Sequence, residues 1–111
     1  MIHNILIIKD TGILRQLYHE YLAEAGYNIR SYKNYEVVSN SILELFEAFV
    51  LDHDIKDGMS ESEWLYDKRE IIQPERRILM SGNPEAWNNI EGYKLIKPFE
   101  LSELEEALKR M

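Results

Sequence analysis

The sequence predicts an α/β domain in which helices cover both faces of a parallel sheet. Short apolar runs alternate along the chain with longer segments whose apolar residues recur at helical spacing, a pattern typical of repeated βαβ units. The runs are continuous rather than alternating in polarity, as expected for strands that are buried on both faces. Four of them are 5–8, 49–51, 78–80 and 95–96.

The segment after the first run predicts a helix and then an edge strand. Thr11 is a suitable helix cap, and the apolar residues that follow recur at helical spacing as far as Leu22. Gly26 ends this helix. Residues 27–31 alternate weakly in polarity, which indicates a strand at the edge of the sheet.

The middle of the chain predicts two further helices on either side of the strand 49–52. Asn34 begins the first, which extends to Phe46. Residues 53–59 form a loop that contains the turn signal Asp-Gly. A third helix covers 60–72, with a capping box between its first residue, Ser60, and Glu63.

The last third of the chain predicts two strands and two helices. Pro74 precedes the strand that ends at Ser81. Residues 84–90 allow at most a two-turn helix. Residues 93–96 form the last strand, and 101–110 form the last helix.

Composition sets limits on function. The chain has 111 residues, which fits one domain, and its net charge of −7 argues against direct nucleic-acid binding. It has no cysteine, which excludes disulfides and thiol catalysis and fits a reducing compartment. No apolar stretch approaches the roughly 20 residues of a membrane span, and the N-terminus lacks the pattern of a signal peptide. We therefore expect a cytoplasmic protein.

The polar residues that follow the strands indicate phosphoryl chemistry. Asp10, Asp52, Ser81 and Lys97 each come directly after, or one residue after, an apolar run. The carboxyl ends of parallel strands share one edge of the sheet, where ligands bind. Two carboxylates, a hydroxyl and an ammonium are therefore expected to converge there.

In these motifs the sequence resembles the receiver domain of two-component response regulators, of the chemotaxis-regulator kind. The segment 49–60 is similar to the family's phosphoacceptor segment, 80–82 to its hydroxyl-bearing switch, and 97–99 to its Lys-Pro-Phe ending. The resemblance covers nearly the whole chain, 1–111, as one receiver domain. It implies a flavodoxin-like fold with five strands in the order 2-1-3-4-5 and five helices, of which the fourth is short here.

The resemblance also implies a role for each matching residue. Asp52 would accept a phosphoryl group from a histidine kinase or phosphorelay protein, with Ser81 and Lys97 contacting that group and Gly82 leaving room for it. A carboxylate is a suitable nucleophile, and transfer depends mostly on positioning and charge neutralisation. Asp10, Asp52 and Asp54 would hold Mg²⁺, and the Lys97–Pro98 bond would be cis.

Lys9 is the main departure from the family pattern, which has a second acidic residue at this position. Its ammonium can compete with Mg²⁺, because a charge pair at about 4 Å is worth roughly 4 kcal/mol at an effective dielectric near 20. We therefore expect weakened Mg²⁺ binding and slower phosphorylation of Asp52. The alternative is that Lys9 points to solvent and the Asp54 side chain supplies the missing charge.

A second departure concerns the family's aromatic switch residue. That position aligns with Lys94, and Tyr93 is one place away, on the opposite face of the strand. The usual coupling between hydroxyl and aromatic side chain is therefore not expected.

Simpler interpretations of the same residues remain open. The two aspartates can be strand-end or helix-cap carboxylates, Lys97 an exposed loop lysine, and Ser81 the start of a turn. His53 is expected to be an outward-facing residue at the rim of the site.

Two functions follow from the sequence. The first is a stand-alone receiver, not an enzyme, that is phosphorylated on Asp52 and signals to a downstream protein as a monomer or weak dimer. The second is a phosphorylation-independent interaction module, or pseudo-receiver, in which Lys9 occupies the acidic metal site. A flavin-binding carrier on the same fold is disfavoured, since Thr11-Gly12 is not a phosphate-binding loop.

Overall fold

The structure is a computed structural model that describes residues 2–9, 11–53 and 61–111. Its centre is a five-stranded, all-parallel sheet in the order β2-β1-β3-β4-β5. The predicted fold class and strand order are therefore confirmed. The strands are β1 (Asn4–Ile8), β2 (Asn28–Tyr32), β3 (Ala48–Asp52), β4 (Arg77–Ser81) and β5 (Tyr93–Ile96).

The described residues contain four α-helices, so the expectation of five is wrong. The helices are α1 (Gly12–Glu24), α2 (Asn40–Leu43), α3 (Glu61–Asp67) and α4 (Leu101–Lys109). Two short 3-10 helices cover Tyr35–Val37 and Pro74–Arg76. None of the helices in the described part of the chain is long and apolar enough to cross a membrane.

Residues 84–90, where the short fourth helix was expected, form a series of turns. The backbone N–H groups of Ala86, Asn88 and Ile90 each donate to the carbonyl three residues earlier, at 3.0–3.1 Å. Asn89 has a positive φ of 65°, a left-handed conformation that an α-helix does not contain. The segment therefore follows a tight path from β4 to β5.

The second and third helices are shorter than the sequence indicates. Asn34 caps the 3-10 turn rather than an α-helix, and the extended Val38 separates that turn from α2. The Ser39 hydroxyl then accepts a hydrogen bond from Ile42 N–H and caps α2. The third helix ends at Asp67 instead of 72. Ser60 of the predicted capping box lies outside the described residues.

A separate apolar core covers each face of the sheet. On one face, alternate residues of the strands pack against α1 and α4, with Tyr18, Leu22 and Leu104 buried. On the other face, the remaining strand residues pack with Tyr35, Trp64 and their neighbours from the segments that hold α2 and α3. This layering leaves the carboxyl ends of the strands at the rim between the helices.

Helix α1 packs with fewer of its apolar residues than its sequence pattern indicates. Tyr18 and Leu22 are buried, whereas Ile13 is 83 % exposed and Leu14 and Leu17 are 40 % and 46 % exposed. The spacing correctly predicts a helix here, although it overestimates how wide the buried stripe is.

Candidate functional site

Four of the predicted site residues lie at the carboxyl edge of the sheet. Lys9, Asp52, Ser81 and Lys97 end or directly follow β1, β3, β4 and β5. The backbone N–H of Lys97 donates to the Ser81 carbonyl at 2.8 Å, and that of Lys9 donates to the Tyr32 carbonyl at 3.0 Å. The hydrogen-bond ladder thus continues one residue beyond the strands and fixes where these side chains start.

The Asp52 carboxylate is buried between two ammonium groups. Lys9 Nζ donates to Oδ2 at 3.0 Å, and Lys97 Nζ donates to Oδ1 at 2.6 Å. The side chains of Lys9 and Asp52 are 3 % and 1 % exposed, whereas that of Lys97 is 24 % exposed. Both carboxylate oxygens therefore already accept charge-assisted hydrogen bonds, and one of the two donors is almost completely shielded from water.

Lys9 is held inward by contacts on its backbone and its side chain. The Arg15 guanidinium donates to the Lys9 carbonyl at 2.9 Å. The Lys9 ammonium lies 5.6 Å from the centroid of the Tyr18 ring, within cation–π range. The alternative in which Lys9 points to solvent is therefore wrong, because its side chain lies in the interior with Asp52.

Tyr35 supports Asp52 from the face of the sheet opposite the one on which Tyr18 lies. Its hydroxyl donates to the Asp52 backbone carbonyl at 2.7 Å, and its ring packs on Trp64 at 4.7 Å between centroids. Burial raises the pKa of Tyr35 well above its ordinary value, and the charges of Glu61 and Asp52 add to this shift. The hydroxyl thus stays a hydrogen-bond donor over the physiological pH range.

Ser81 and Gly82 lie next to the site without contributing a donor to Asp52. The Ser81 hydroxyl is buried and donates to the Asn83 carbonyl at 2.6 Å. Gly82 is exposed at the start of the turn. The simpler interpretation of Ser81, as the first residue of a turn, describes this geometry.

Lys97 is not an exposed loop lysine, since its ammonium contacts Asp52. The Lys97–Pro98 peptide bond is cis, as the resemblance implies. The following residue, Phe99, packs on Tyr18 with ring centroids 6.0 Å apart. Tyr18 therefore contacts Lys9 directly, and it contacts Phe99 close to Lys97. Burial raises the pKa of Tyr18.

His53 is more constrained than an outward-facing rim residue. Its Nδ1 lies 3.4 Å from a carboxylate oxygen of Glu61, and its side chain is 27 % exposed. Its ring meets that of Trp87 edge to face, with centroids 4.7 Å apart. Trp87 is itself buried and donates its indole N–H to the Met80 carbonyl at 2.9 Å.

The predicted Mg²⁺ ligands Asp10 and Asp54 lie outside the described residues. Among residues 2–9, 11–53 and 61–111, no group of three or more His, Cys, Asp or Glu side chains could hold a metal ion. Asp52 is the one predicted ligand that the structure describes, and ammonium groups already occupy both of its carboxylate oxygens. The described residues alone therefore do not fit a Mg²⁺ site.

Three aromatic residues around the site were not predicted from the sequence to support it. Tyr18 contacts Lys9, Tyr35 contacts Asp52, and Trp87 contacts His53. For Trp87 the available signal was the presence of a tryptophan in the otherwise mostly polar stretch 82–91. The tyrosines gave no such signal, because each of them fits the apolar pattern of its own segment.

Solved structures with a similar fold include response-regulator receivers. A CheY-like receiver domain from Methanospirillum hungatei has a TM-score of 0.81 at 20 % identity, over 99 % of this chain and 93 % of its own. TrrA, a response regulator from Thermotoga maritima solved in complex with Mg²⁺ and beryllium fluoride, has a TM-score of 0.78 at 23 % identity, over 97 % of each chain. CheY4, a chemotaxis protein from Vibrio cholerae, has a TM-score of 0.78 at 19 % identity, over 99 % and 98 %.

The chain therefore has the fold of response-regulator receiver domains, and the resemblance noted in its sequence holds at the level of the fold. No protein-family model matches the sequence, and no curated protein sequence matches it either. The likeness thus lies in the arrangement of the backbone more than in residue identity.

Proposed function

We propose that residues 1–111 form one receiver-type interaction domain that works without phosphorylation, with Lys9 as a built-in cation. The observation that carries this proposal is the hydrogen bond of 3.0 Å between Lys9 Nζ and Asp52 Oδ2, both of which are buried. In this arrangement the charge that a metal ion would neutralise is neutralised by the chain itself.

The ion pair opposes nucleophilic attack by Asp52. An attacking carboxylate is a weaker nucleophile when its charge is neutralised, and each oxygen of Asp52 accepts a charge-assisted hydrogen bond from a lysine. Separating a buried pair leaves uncompensated charge and costs about 3–5 kcal/mol. A cost of that size corresponds to a slowing of about 10²- to 10⁴-fold.

The domain would signal through contact with another protein. Receiver domains generally catalyse no reaction other than their own phosphorylation and dephosphorylation. We therefore propose a binding role rather than an enzymatic one. The net charge of −7 opposes nucleic acid as a partner. We further propose a cytoplasmic location and a monomeric or weakly dimeric state.

A second candidate is the conventional receiver, in which Asp52 accepts a phosphoryl group from a sensor kinase or phosphotransfer protein. The contact of 2.6 Å between Lys97 Nζ and Asp52 Oδ1 supports it. So does the similarity of the fold to receivers such as TrrA, which was solved with Mg²⁺ and beryllium fluoride. In this candidate Asp10, Asp52 and Asp54 would provide the oxygen ligands for Mg²⁺, and Ser81, Gly82 and Lys97 would surround the phosphoryl group.

Intact-mass measurement after incubation with acetyl phosphate and Mg²⁺ separates the two candidates. We expect the wild type to gain no mass during a period in which Lys9→Asp gains one phosphoryl group. Lys9→Asp combined with Asp52→Asn is the matched control and should gain none. A wild-type gain that Asp52→Asn abolishes would support the second candidate and contradict the first.

A further inference from the structure

One backbone oxygen joins the end of β3 to the segment between β4 and β5. The Met80 carbonyl accepts a hydrogen bond from the backbone N–H of His53 at 3.0 Å and another from the indole N–H of Trp87 at 2.9 Å. His53 directly follows Asp52, and Trp87 lies in the middle of the turn segment 82–92. A displacement of His53 or of Trp87 therefore changes the hydrogen bonding of the same carbonyl.

The rings of His53 and Trp87 provide a second contact between the same two segments. Their centroids are 4.7 Å apart at an interplanar angle of 85°, the edge-to-face geometry that aromatic pairs favour. Trp87 is 1 % exposed and belongs to the apolar core that includes Leu51 and Leu79. Because the interior around it is close-packed, Trp87 cannot shift without moving the turns that carry it.

The contacts of the described residues do not include the family's usual hydroxyl–aromatic coupling, which would link the acidic site to the segment 82–92. The Ser81 hydroxyl donates within its own turn, to the Asn83 carbonyl. Tyr93 is 38 % exposed and lies one position away from the place where the family has its aromatic switch. The contacts of Trp87 with His53 and Met80 directly link the segment 82–92 to the residues next to Asp52.

We infer that Trp87 couples the state of the Lys9–Asp52 pair to the conformation of the segment 82–92. The two states are the formed pair and the broken pair, in which Asp52 contacts Lys97 alone and the end of β3 adjusts. The inference rests on the proposed function, in which this pair is the functional centre of the domain. Trp87 is thus a positioning residue that acts through His53 and the Met80 carbonyl.

The test is a double-mutant cycle measured by hydrogen exchange in a buffer that contains a metal chelator. Lys9→Met breaks the pair, and we expect about tenfold faster amide exchange in 82–92 than in the wild type. In a Trp87→Phe background, the same Lys9→Met change should accelerate exchange by less than about twofold. Trp64→Phe is the matched control, and there the tenfold effect should persist.

His53→Gln gives a second cycle that leaves the indole in place, and it decides the matter if circular dichroism shows that Trp87→Phe is unfolded. We expect the effect of Lys9→Met on 82–92 to fall in this background too. An effect that stays near tenfold in every folded background, or that is absent from the wild-type background, would overturn the inference. The measurement uses unphosphorylated protein, so it is independent of the acetyl phosphate result.

Discussion

The ammonium of Lys9 lies 5.6 Å from the centroid of the Tyr18 ring, on the side of the sheet that α1 covers. Tyr18 is 8 % exposed, so this cation–π contact is largely shielded from water. Contacts of this kind are worth about 0.5–1 kcal/mol at exposed sites and about 2 or more when desolvated. Tyr18 is therefore expected to help to hold Lys9 towards Asp52.

We predict that Tyr18→Leu lowers the free energy of unfolding by about 1–2 kcal/mol. In a Lys9→Met background the cost should be smaller by about 0.5–1 kcal/mol, because the cation is gone. Urea denaturation of the four proteins measures both values. Tyr18→Phe keeps the ring and should cost less than about 0.5 kcal/mol. Equal costs with and without Lys9 would show that Tyr18 contributes packing alone.

We predict that Asp52→Asn destabilises the protein by about 3–5 kcal/mol, because it leaves Lys9 buried without its anion. Lys9→Met combined with Asp52→Asn should recover most of that loss, since neither charge remains. Chemical denaturation measures the full cycle. If Asp52 instead mainly repels other carboxylates, its neutralisation would leave stability unchanged or raise it, and that sign would contradict the proposed pairing.

We predict that Lys9→Asp binds Mg²⁺ at least about tenfold more tightly than the wild type, because the substitution removes a competing cation and adds an oxygen ligand. Fluorescence of Trp87 can report the titration, since its ring contacts the histidine that follows Asp52. Carrying out the titration in Trp64→Phe, which leaves one tryptophan, isolates this signal. Equal affinities in the two proteins would contradict a role for Lys9 in excluding metal.

We predict that Tyr35 makes stability fall at alkaline pH. Its pKa is raised in the folded protein, so the unfolded chain loses this proton first, near pH 10. Its contribution is complete below that pH and is lost as the pH rises towards the folded-state pKa, by up to about 1.4 kcal/mol per pH unit. Between pH 9 and 11, Tyr35→Phe should therefore lose less stability than the wild type in urea denaturation. Parallel losses in the two proteins would contradict this.

We predict that Gly92→Ala is more damaging than Gly26→Ala. Both glycines have positive φ, but a Cβ on Gly92 would lie 3.0 Å from side-chain atoms of Arg77 and Leu79, whereas one on Gly26 would meet nothing within 4 Å. Backbone strain alone costs about 1–3 kcal/mol, and overpacking adds about 1–3 kcal/mol more. Thermal unfolding of the two variants compares these effects directly. Equal decreases in Tm would show that contacts with Arg77 and Leu79 add nothing to the cost of Gly92→Ala.

The three central strands, β1, β3 and β4, were predictable from sequence because burial specifies them. The runs around Val50 and Leu79 carry β-branched and aliphatic residues with no polar interruption, and few other structures can bury such a run on both faces. The carboxyl edge of the sheet followed from that arrangement. Position along the chain was therefore enough to bring Lys9, Asp52 and Lys97 to one edge.

The helices were harder to predict because local hydrogen bonds decide where they begin and end. Ser39 competes with Asn34 as a cap and leaves a helix of only one turn, Asn40–Leu43. The turns after Pro84 are set by backbone bonds over three residues and by the left-handed Asn89, neither of which apolar spacing reveals. Spacing thus predicts that a segment is helical more reliably than it predicts its length.

The orientation of polar side chains at the site could be predicted only in part. Lys9 could face solvent or Asp52, and the outcome depends on contacts with Arg15 and Tyr18, which come from a different element. Likewise, the Ser81 hydroxyl could face the acidic site or its own turn. Such choices are decided by neighbours that are distant in the sequence or by the path of a loop.

The seclusion of the Lys9–Asp52 contact from water has a consequence for how a cell could control this protein. On the proposal made above, the neutralising cation is translated with the chain and lasts as long as the protein does. No metal ion has to bind or dissociate, and dissolved salt screens the pair only weakly because it is buried. Control of the domain would then not depend on the supply of a cation from outside the chain.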